Sequence, residues 1–370
     1  MGGRAVRCVD CGSRRFFICN SCRNRHCPAC GGAARAKWLQ DRQQDLLPVT
    51  YFHLVFTLPD TLRDLALYNK SVIYGLLFRA ASETLRELAA DDRYLGARLG
   101  QLLVLHTWGQ RLQHHPHVHC VVPAGGLSLD GQRWVHRGPD YLLPVKVLSA
   151  KFRGKFLALL KQAFAEGLRL PPALSKLTDQ RALNRWLNPL YKRDWVVYAK
   201  RPFGGPAQVL AYLARYTHRV AISNGRLESL EGDRVTFRYK DYADGNRQTT
   251  TTMGAVKFLG RLLLHALPHG FVRIRYYGIW SNRHRKELLP RCRQLLEVQG
   301  GVPPWEQLPD PRFGPPEFVA DDEAETLAEL LAALPEIPCP VCGRRSLIVV
   351  IYARPNLPEI LSLPWSFDSS

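Results

Sequence analysis

The sequence predicts an α+β protein: an antiparallel sheet flanked by helices, headed by a small cysteine-rich module. Three observations point there. Short runs of β-branched and aromatic residues alternate irregularly with helical periodicity, and several connections look like hairpins, which disfavours a doubly wound parallel sheet. Eight of the ten cysteines lie in C-x-x-C pairs, six of them within the first thirty residues. Hydrophobic residues make up 46% of the 370-residue chain, enough to bury a sizeable core. The expected division is a zinc-binding module over residues 1–45, a main domain over 46–296, and an acidic linker and tail over 297–370.

The first module rests on the pairs Cys8/Cys11, Cys19/Cys22 and Cys27/Cys30. Close-paired cysteines in a reducing compartment favour zinc over disulfides. Each pair sets two thiolates at the mouth of a tight turn, two corners of a tetrahedron. The outer pairs, Cys8, Cys11, Cys27 and Cys30, form the expected primary Zn²⁺ site; Cys22 and His26 complete a second site or replace one of these ligands. Arg14, Arg15, Arg23, Arg25, Arg35 and Lys37 make the same stretch strongly basic, so a metal-folded unit too small for its own core doubles as a phosphate-binding surface. A further pair, Cys339/Cys342, supplies only half a site.

Tyr51 to Leu58 reads as a buried strand ended by Pro59, and Asp60 is placed to cap the helix that follows. Leu102–Trp108 and Val118–Val122 are further strands, with Asp130-Gly131 marking a hairpin. Leu148–Leu168 reads as a helix and Trp195–Ala199 as a strand. Gly204-Gly205-Pro206 sets the start of another helix. A hairpin of Val235–Tyr239 with Gln248–Met253 turns at Asp244-Gly245; a helix over Val256–Leu267 and a strand over Phe271–Ile279 follow. There is no internal repeat and no glycine-rich phosphate loop.

The net charge of +19 favours a polyanionic partner. It is uneven, because the charged residues of 306–336 are dominated by acids and the remainder is more basic still. Nucleic acid is favoured over membrane, since no basic amphipathic helix stands alone and no apolar run reaches the roughly 18 residues that span a bilayer. The N-terminus lacks a signal-peptide core, and a cytoplasmic protein is expected.

Two blocks carry chemistry. In a strand, His117 and His119 share a face while Val118 points into the core. Two imidazoles on one face can hold Mg²⁺ or Mn²⁺ with positions left for substrate oxygens, and imidazole suits Mn²⁺ better. A third ligand is expected from Gln110, His106, His114 or His115. On the predicted helix, Tyr212 and Tyr216 lie one turn apart on one face, with Arg215 and Arg219 to the side. A phenol titrates near pH 10, so a metal and a guanidinium beside the phosphate would ease its attack. Downstream, Arg283, Arg285 and Lys286 close a run of basic and aromatic residues suited to a DNA strand.

Taken in order, four segments resemble a known group: Ser21-Cys22-Arg23-Asn24-Arg25-His26-Cys27-Pro28-Ala29-Cys30; Phe52-His53-Leu54-Val55-Phe56-Thr57-Leu58-Pro59; the block from Leu105 to His119; and Tyr212-Leu213-Ala214-Arg215-Tyr216-Thr217-His218-Arg219. They look like the two-tyrosine rolling-circle transposases of the IS-ninety-one insertion-sequence family, within the HUH endonuclease superfamily. The resemblance implies a central antiparallel sheet with the histidine pair on a middle strand and the tyrosines on an adjacent helix. It implies a bacterial, nucleoid-associated enzyme that nicks and rejoins single-stranded DNA through a 5′-phosphotyrosine. By motif position, His117 and His119 would hold the metal, and Tyr212 and Tyr216 would be the nucleophiles. A rolling-circle replication initiator, or a non-catalytic zinc-containing DNA-binding remnant, are the alternatives.

Overall fold

The computed structural model describes residues 3–8, 10–11, 16–19, 38, 41–42, 44–138, 143–203, 221–241, 244–245, 247–298 and 347–353. The chain divides into two compact units, residues 41–324 and residues 1–40 together with 325–370.

The larger unit is built on a five-stranded antiparallel sheet. Its strands are β3 (Tyr51–Thr57), β5 (Gly100–Trp108), β6 (His114–Pro123), β9 (Val197–Phe203) and β13 (Ile274–Gly278), in the spatial order β13-β5-β6-β3-β9. The expected α+β class with a central antiparallel sheet is what the chain adopts. Alternation decides the two faces. Leu54 and Phe56 of β3, Leu103 and Leu105 of β5, and Val118 and Cys120 of β6 are buried in one core with α2 (Lys70–Ala90) and α3 (Val145–Ala165). Phe56, Phe152 and Trp195 meet edge-on at its centre, with ring centroids 5.0 and 5.5 Å apart. The other face carries the histidines.

The strand expected at 118–122 begins earlier, at His114, so the whole histidine block lies in β6. Asp60 does not cap a helix. It opens a 3₁₀ turn, Asp60–Leu62, and its carboxylate takes Arg63 at 2.6 Å. α1 (Arg63–Tyr68) then breaks at Asn69, whose side-chain amide donates to the Leu65 and Arg169 carbonyls before α2 begins. Two helices escape the sequence reading: α4 (Gln180–Lys192) and α6 (Arg285–Val298). Each holds an interior proline, Pro189 and Pro290, the residue that ordinarily argues against a helix. α4 compensates with an Asp179 cap that accepts from the Ala182 amide at 2.8 Å and with Leu183, Leu187 and Leu190 buried along one face.

A second sheet, β10 (Leu227–Glu231), β11 (Arg234–Asp241) and β12 (Arg247–Gly254), packs with α5 (Ala255–Leu263) around a small core of its own. Into that core goes Leu112, from the turn joining β5 to β6, together with Ala221. Both adopt φ of 60°, a left-handed backbone that non-glycine residues rarely take. A short sheet of β4 (Ala97–Arg98), β7 (Gly126–Ser128) and β8 (Trp134–Val135) completes the strands among the described residues of this unit.

In the smaller unit, β1 (Gly3–Cys8) pairs with β2 (Phe16–Cys19) and with β14 (Leu347–Ala353), so the two chain ends share one antiparallel sheet. No helix among the described residues is long and apolar enough to cross a membrane.

Candidate metal centre

β6 is the middle strand of the main sheet, and its register fixes what surrounds the histidine pair. His117 pairs with His106 of β5 and with Thr57 of β3; His119 pairs with Val104 and Val55. Directly opposed residues share a face, so His106 joins His117 and His119 on the face opposite the helices. One ring nitrogen from each of the three lies within 4.8 Å of the others. This is the histidine cluster of metal-holding geometry among the described residues.

Each ring is held separately. His117 donates from Nδ1 to the His115 carbonyl at 2.7 Å, which leaves Nε2 as its inward atom. His117 Nε2 and His119 Nε2 stand 3.1 Å apart. His119 Nδ1 lies 2.8 Å from His53 Nε2, and these two rings stack. His106 stacks on Trp108 with centroids 4.5 Å apart. Burial pushes the His117 imidazole down to about 4, and the neighbouring His115 adds to the effect. Burial also holds His119 well below the usual histidine value, with His106, His117 and His53 contributing. His117 and His119 are therefore neutral at neutral pH, the form of imidazole that binds metals.

The other expected third partners go elsewhere. His114 points to the helix side, where its Nε2 meets the Tyr74 hydroxyl at 2.7 Å. His115 turns toward Asp60, 3.8 Å from its carboxylate. Gln110 sits in the β5–β6 turn, its carbonyl taking Arg226 at 2.6 Å and its side-chain oxygen 3.4 Å from the Lys240 amide. His53 was not expected at the site. Its signal was available in the alternation, since it precedes Val55 by two and so shares the strand face opposite His119.

Tyr212, Arg215, Tyr216 and Arg219 lie outside the described residues, as do Cys22, His26, Cys27, Cys30, Cys339 and Cys342. Cys8 ends β1, and Cys11 is exposed in a turn. Of the downstream cations, Arg283 and Lys286 are exposed, while Arg285 pairs with Asp45 at 3.2 Å. With Arg42, Arg293 and Asp45, Arg285 and Lys286 line a cleft of 390 Å³. Of the aromatic run before them, Trp280 is buried and stacks on Tyr51, Tyr277 is half-buried against the core, and Tyr276 lies half-buried beneath Arg42.

An α+β chain with three imidazoles, two buried and one half-buried, gathered on the sheet face opposite its helices is the class of protein defined here. Comparison with known proteins makes the class specific. Residues 100–287 match a family described as "Putative transposase", and residues 1–58 match a "Transposase zinc-binding domain". The chain is 53% identical over 310 residues to "Putative transposase y4qJ" of Sinorhizobium fredii, covering 84% of this chain and 78% of that one. It is 31% identical over 296 residues to the "Transposase for insertion sequence element IS801" of Pseudomonas savastanoi pv. phaseolicola, covering 76% and 67%. Among solved structures, the conjugative relaxase TrwC in complex with OriT DNA matches at 15% identity over 67% of this chain and 73% of that one, with a TM-score of 0.25. The chain belongs to the transposase family of the IS-ninety-one type.

Proposed function

We propose that this transposase nicks and rejoins single-stranded DNA at the ends of an insertion sequence through a 5′-phosphotyrosine, moving the element by rolling-circle transposition. The observation that carries the reading is the convergence of His106, His117 and His119, a ring nitrogen of each lying within 4.8 Å of the others. Three imidazoles with no carboxylate in the cluster fit a divalent ion that imidazole tolerates, Mn²⁺ better than Mg²⁺. When bound, the ion polarises the scissile phosphate and offsets its charge.

In this reading Tyr212 and Tyr216 are the nucleophiles. The tyrosine hydroxyl gives up its proton, its oxygen attacks phosphorus, a Tyr–O–P bond forms, and the P–O3′ bond breaks, releasing a 3′-oxyanion that takes up a proton to become the free 3′-hydroxyl. The covalent link conserves the phosphodiester energy, so a second 3′-hydroxyl reseals the strand and returns the tyrosine. Two tyrosines support two successive transfers. Arg215 and Arg219 lie beside them in sequence as phosphate partners, and Arg283, Arg285 and Lys286 supply further contacts to the strand. Cys8, Cys11, Cys27 and Cys30, with Cys22 and His26 in reserve, hold Zn²⁺ in the N-terminal module; the family match over residues 1–58 supports this.

Cleavage of single-stranded oligonucleotides with Mn²⁺ tests the reading. A covalent protein–DNA adduct should form, persist in part in Tyr212→Phe and in Tyr216→Phe, and disappear in the double variant. Adduct that survives the double change would refute the assignment.

A further inference from the structure

His53 lies in the middle of β3, fully buried, two residues before the Val55 that pairs with His119. It is not one of the three clustered histidines. Its Nε2 nevertheless lies 2.8 Å from His119 Nδ1, and the two rings stack at 5.1 Å with 10° between their planes.

A nitrogen–nitrogen contact of that length needs one proton between the two atoms. For His119 to turn a lone pair from Nε2 toward the point it shares with His106 and His117, its proton must sit on Nδ1. His53 Nε2 must then accept. His117 meets the same requirement by a different route, donating from Nδ1 to the His115 carbonyl. Both Nε2 atoms are then bare, 3.1 Å apart. Two lone pairs so close repel unless a cation lies beside them. With no cation, the proton order reverses: His53 donates to His119 Nδ1, and His119 Nε2–H donates to His117.

We propose that His53 is a positioning residue of the metal centre, a neutral imidazole that accepts from His119 Nδ1–H when the ion is bound and so keeps His119 Nε2 aimed at it. Ligating histidines generally donate their second N–H to a carboxylate, carbonyl or water. An imidazole in that place orients the ligand without the negative charge a carboxylate brings. The proposal rests on the metal reading above, and the experiment separates the two.

Mn²⁺ is titrated into the full chain by calorimetry for wild type, His53→Phe and His53→Gln, with each variant's fold checked by thermal melting without metal. Phenylalanine keeps a stacked ring but accepts nothing; it should weaken Mn²⁺ binding by about 10–100-fold. Glutamine offers a neutral oxygen acceptor and should stay close to wild type. His53→Phe that binds like wild type overturns the proposal, and so does His53→Gln that binds as weakly as His53→Phe. Should a variant fail to fold, ¹⁵N spectra of the wild-type imidazoles with Mg²⁺ decide: His119 as the Nδ1–H tautomer is expected, and Nε2–H overturns it. A wild type that binds no Mn²⁺ refutes the metal reading itself, and His53's role with it.

Discussion

His106 and His117 face each other across the ladder between β5 and β6, ring centroids 5.4 Å apart, and this cross-strand pair turns a two-histidine motif into a three-histidine site. His106 and His119 are closer still, at 4.3 Å. His106 is buried, so it meets the cluster without help from solvent.

The first prediction concerns His106. His106→Ala should remove a ligand while β5, held between β6 and β13, keeps its register. Oligonucleotide cleavage should fall by about a hundredfold or more, since a bound ion supplies several kcal/mol of charge stabilisation to the transition state. Affinity for the same oligonucleotide, measured by fluorescence anisotropy without divalent ion, should hold. Cleavage at the wild-type rate would remove His106 from the site.

Stability should depend on pH through two histidines away from the cluster. Burial holds His114 down at about 3 and His265 at about 4; charged neighbours, His265 and Lys70 among them for His114 and Lys70 for His265, push the same way. His114 faces Tyr74; His265 faces Thr107 and the Leu112 carbonyl. Their folded values lie below the unfolded value near 6.5, so the unfolded chain binds more protons between those limits. The stability they confer is complete above pH 6.5 and is lost as pH falls toward 4 for His265 and 3 for His114, at about 1.4 kcal/mol per pH unit and group. Melting temperatures from pH 7.5 to 4.5 should fall steadily, and His265→Gln should flatten the lower part. An unchanged slope in that variant would exclude His265.

Leu112 offers a test of the turn that joins the two strands bearing the histidine cluster. Its side chain is fully buried in the small core with Phe237, Met253 and Phe258, and its backbone is left-handed. Leu112→Ala should cost about 2–3 kcal/mol for lost packing. Leu112→Gly loses the same side chain but relieves the backbone, so it should be no less stable than alanine. Urea unfolding of both variants checks this; a glycine variant clearly weaker than alanine would show that the φ of 60° is not costly.

Lys286 stands exposed at the rim of the basic cleft. Lys286→Gln should weaken single-stranded DNA binding at low salt and reduce the slope of log affinity against log salt by about 0.7, the counterion release of one phosphate contact. A slope equal to wild type would place the strand elsewhere. Arg285 is a poorer probe, because its guanidinium is already engaged by Asp45 at 3.2 Å, so its removal also changes an ion pair within the protein.

Much of the scaffold was legible because local periodicity encodes it. The Tyr51–Leu58 run became β3 within a residue, and the hairpin around Asp244-Gly245 formed as read. Misreadings came where local rules conflict with distant packing. Pro189 and Pro290 argue against helices that buried leucines nonetheless enforce. Asp60 has the chemistry of a cap, yet Arg63 takes its carboxylate and a tight turn uses it as a first residue. The pairing of Leu347–Ala353 with Gly3–Cys8 joins strands from opposite chain ends, which no local window can reveal.

The sequence by itself determined that His117 and His119 share a face, because a strand's side chains alternate with a period of two whatever lies beside it. It could offer four candidates for the third partner and no means of choosing. Only the tertiary structure chose His106, and only it set His53 behind His119. Both choices are made by strand register, in which a slip of one residue would turn every side chain to the other face. Register is settled by the whole sheet and the core beneath it, and the histidines inherit their company from that packing.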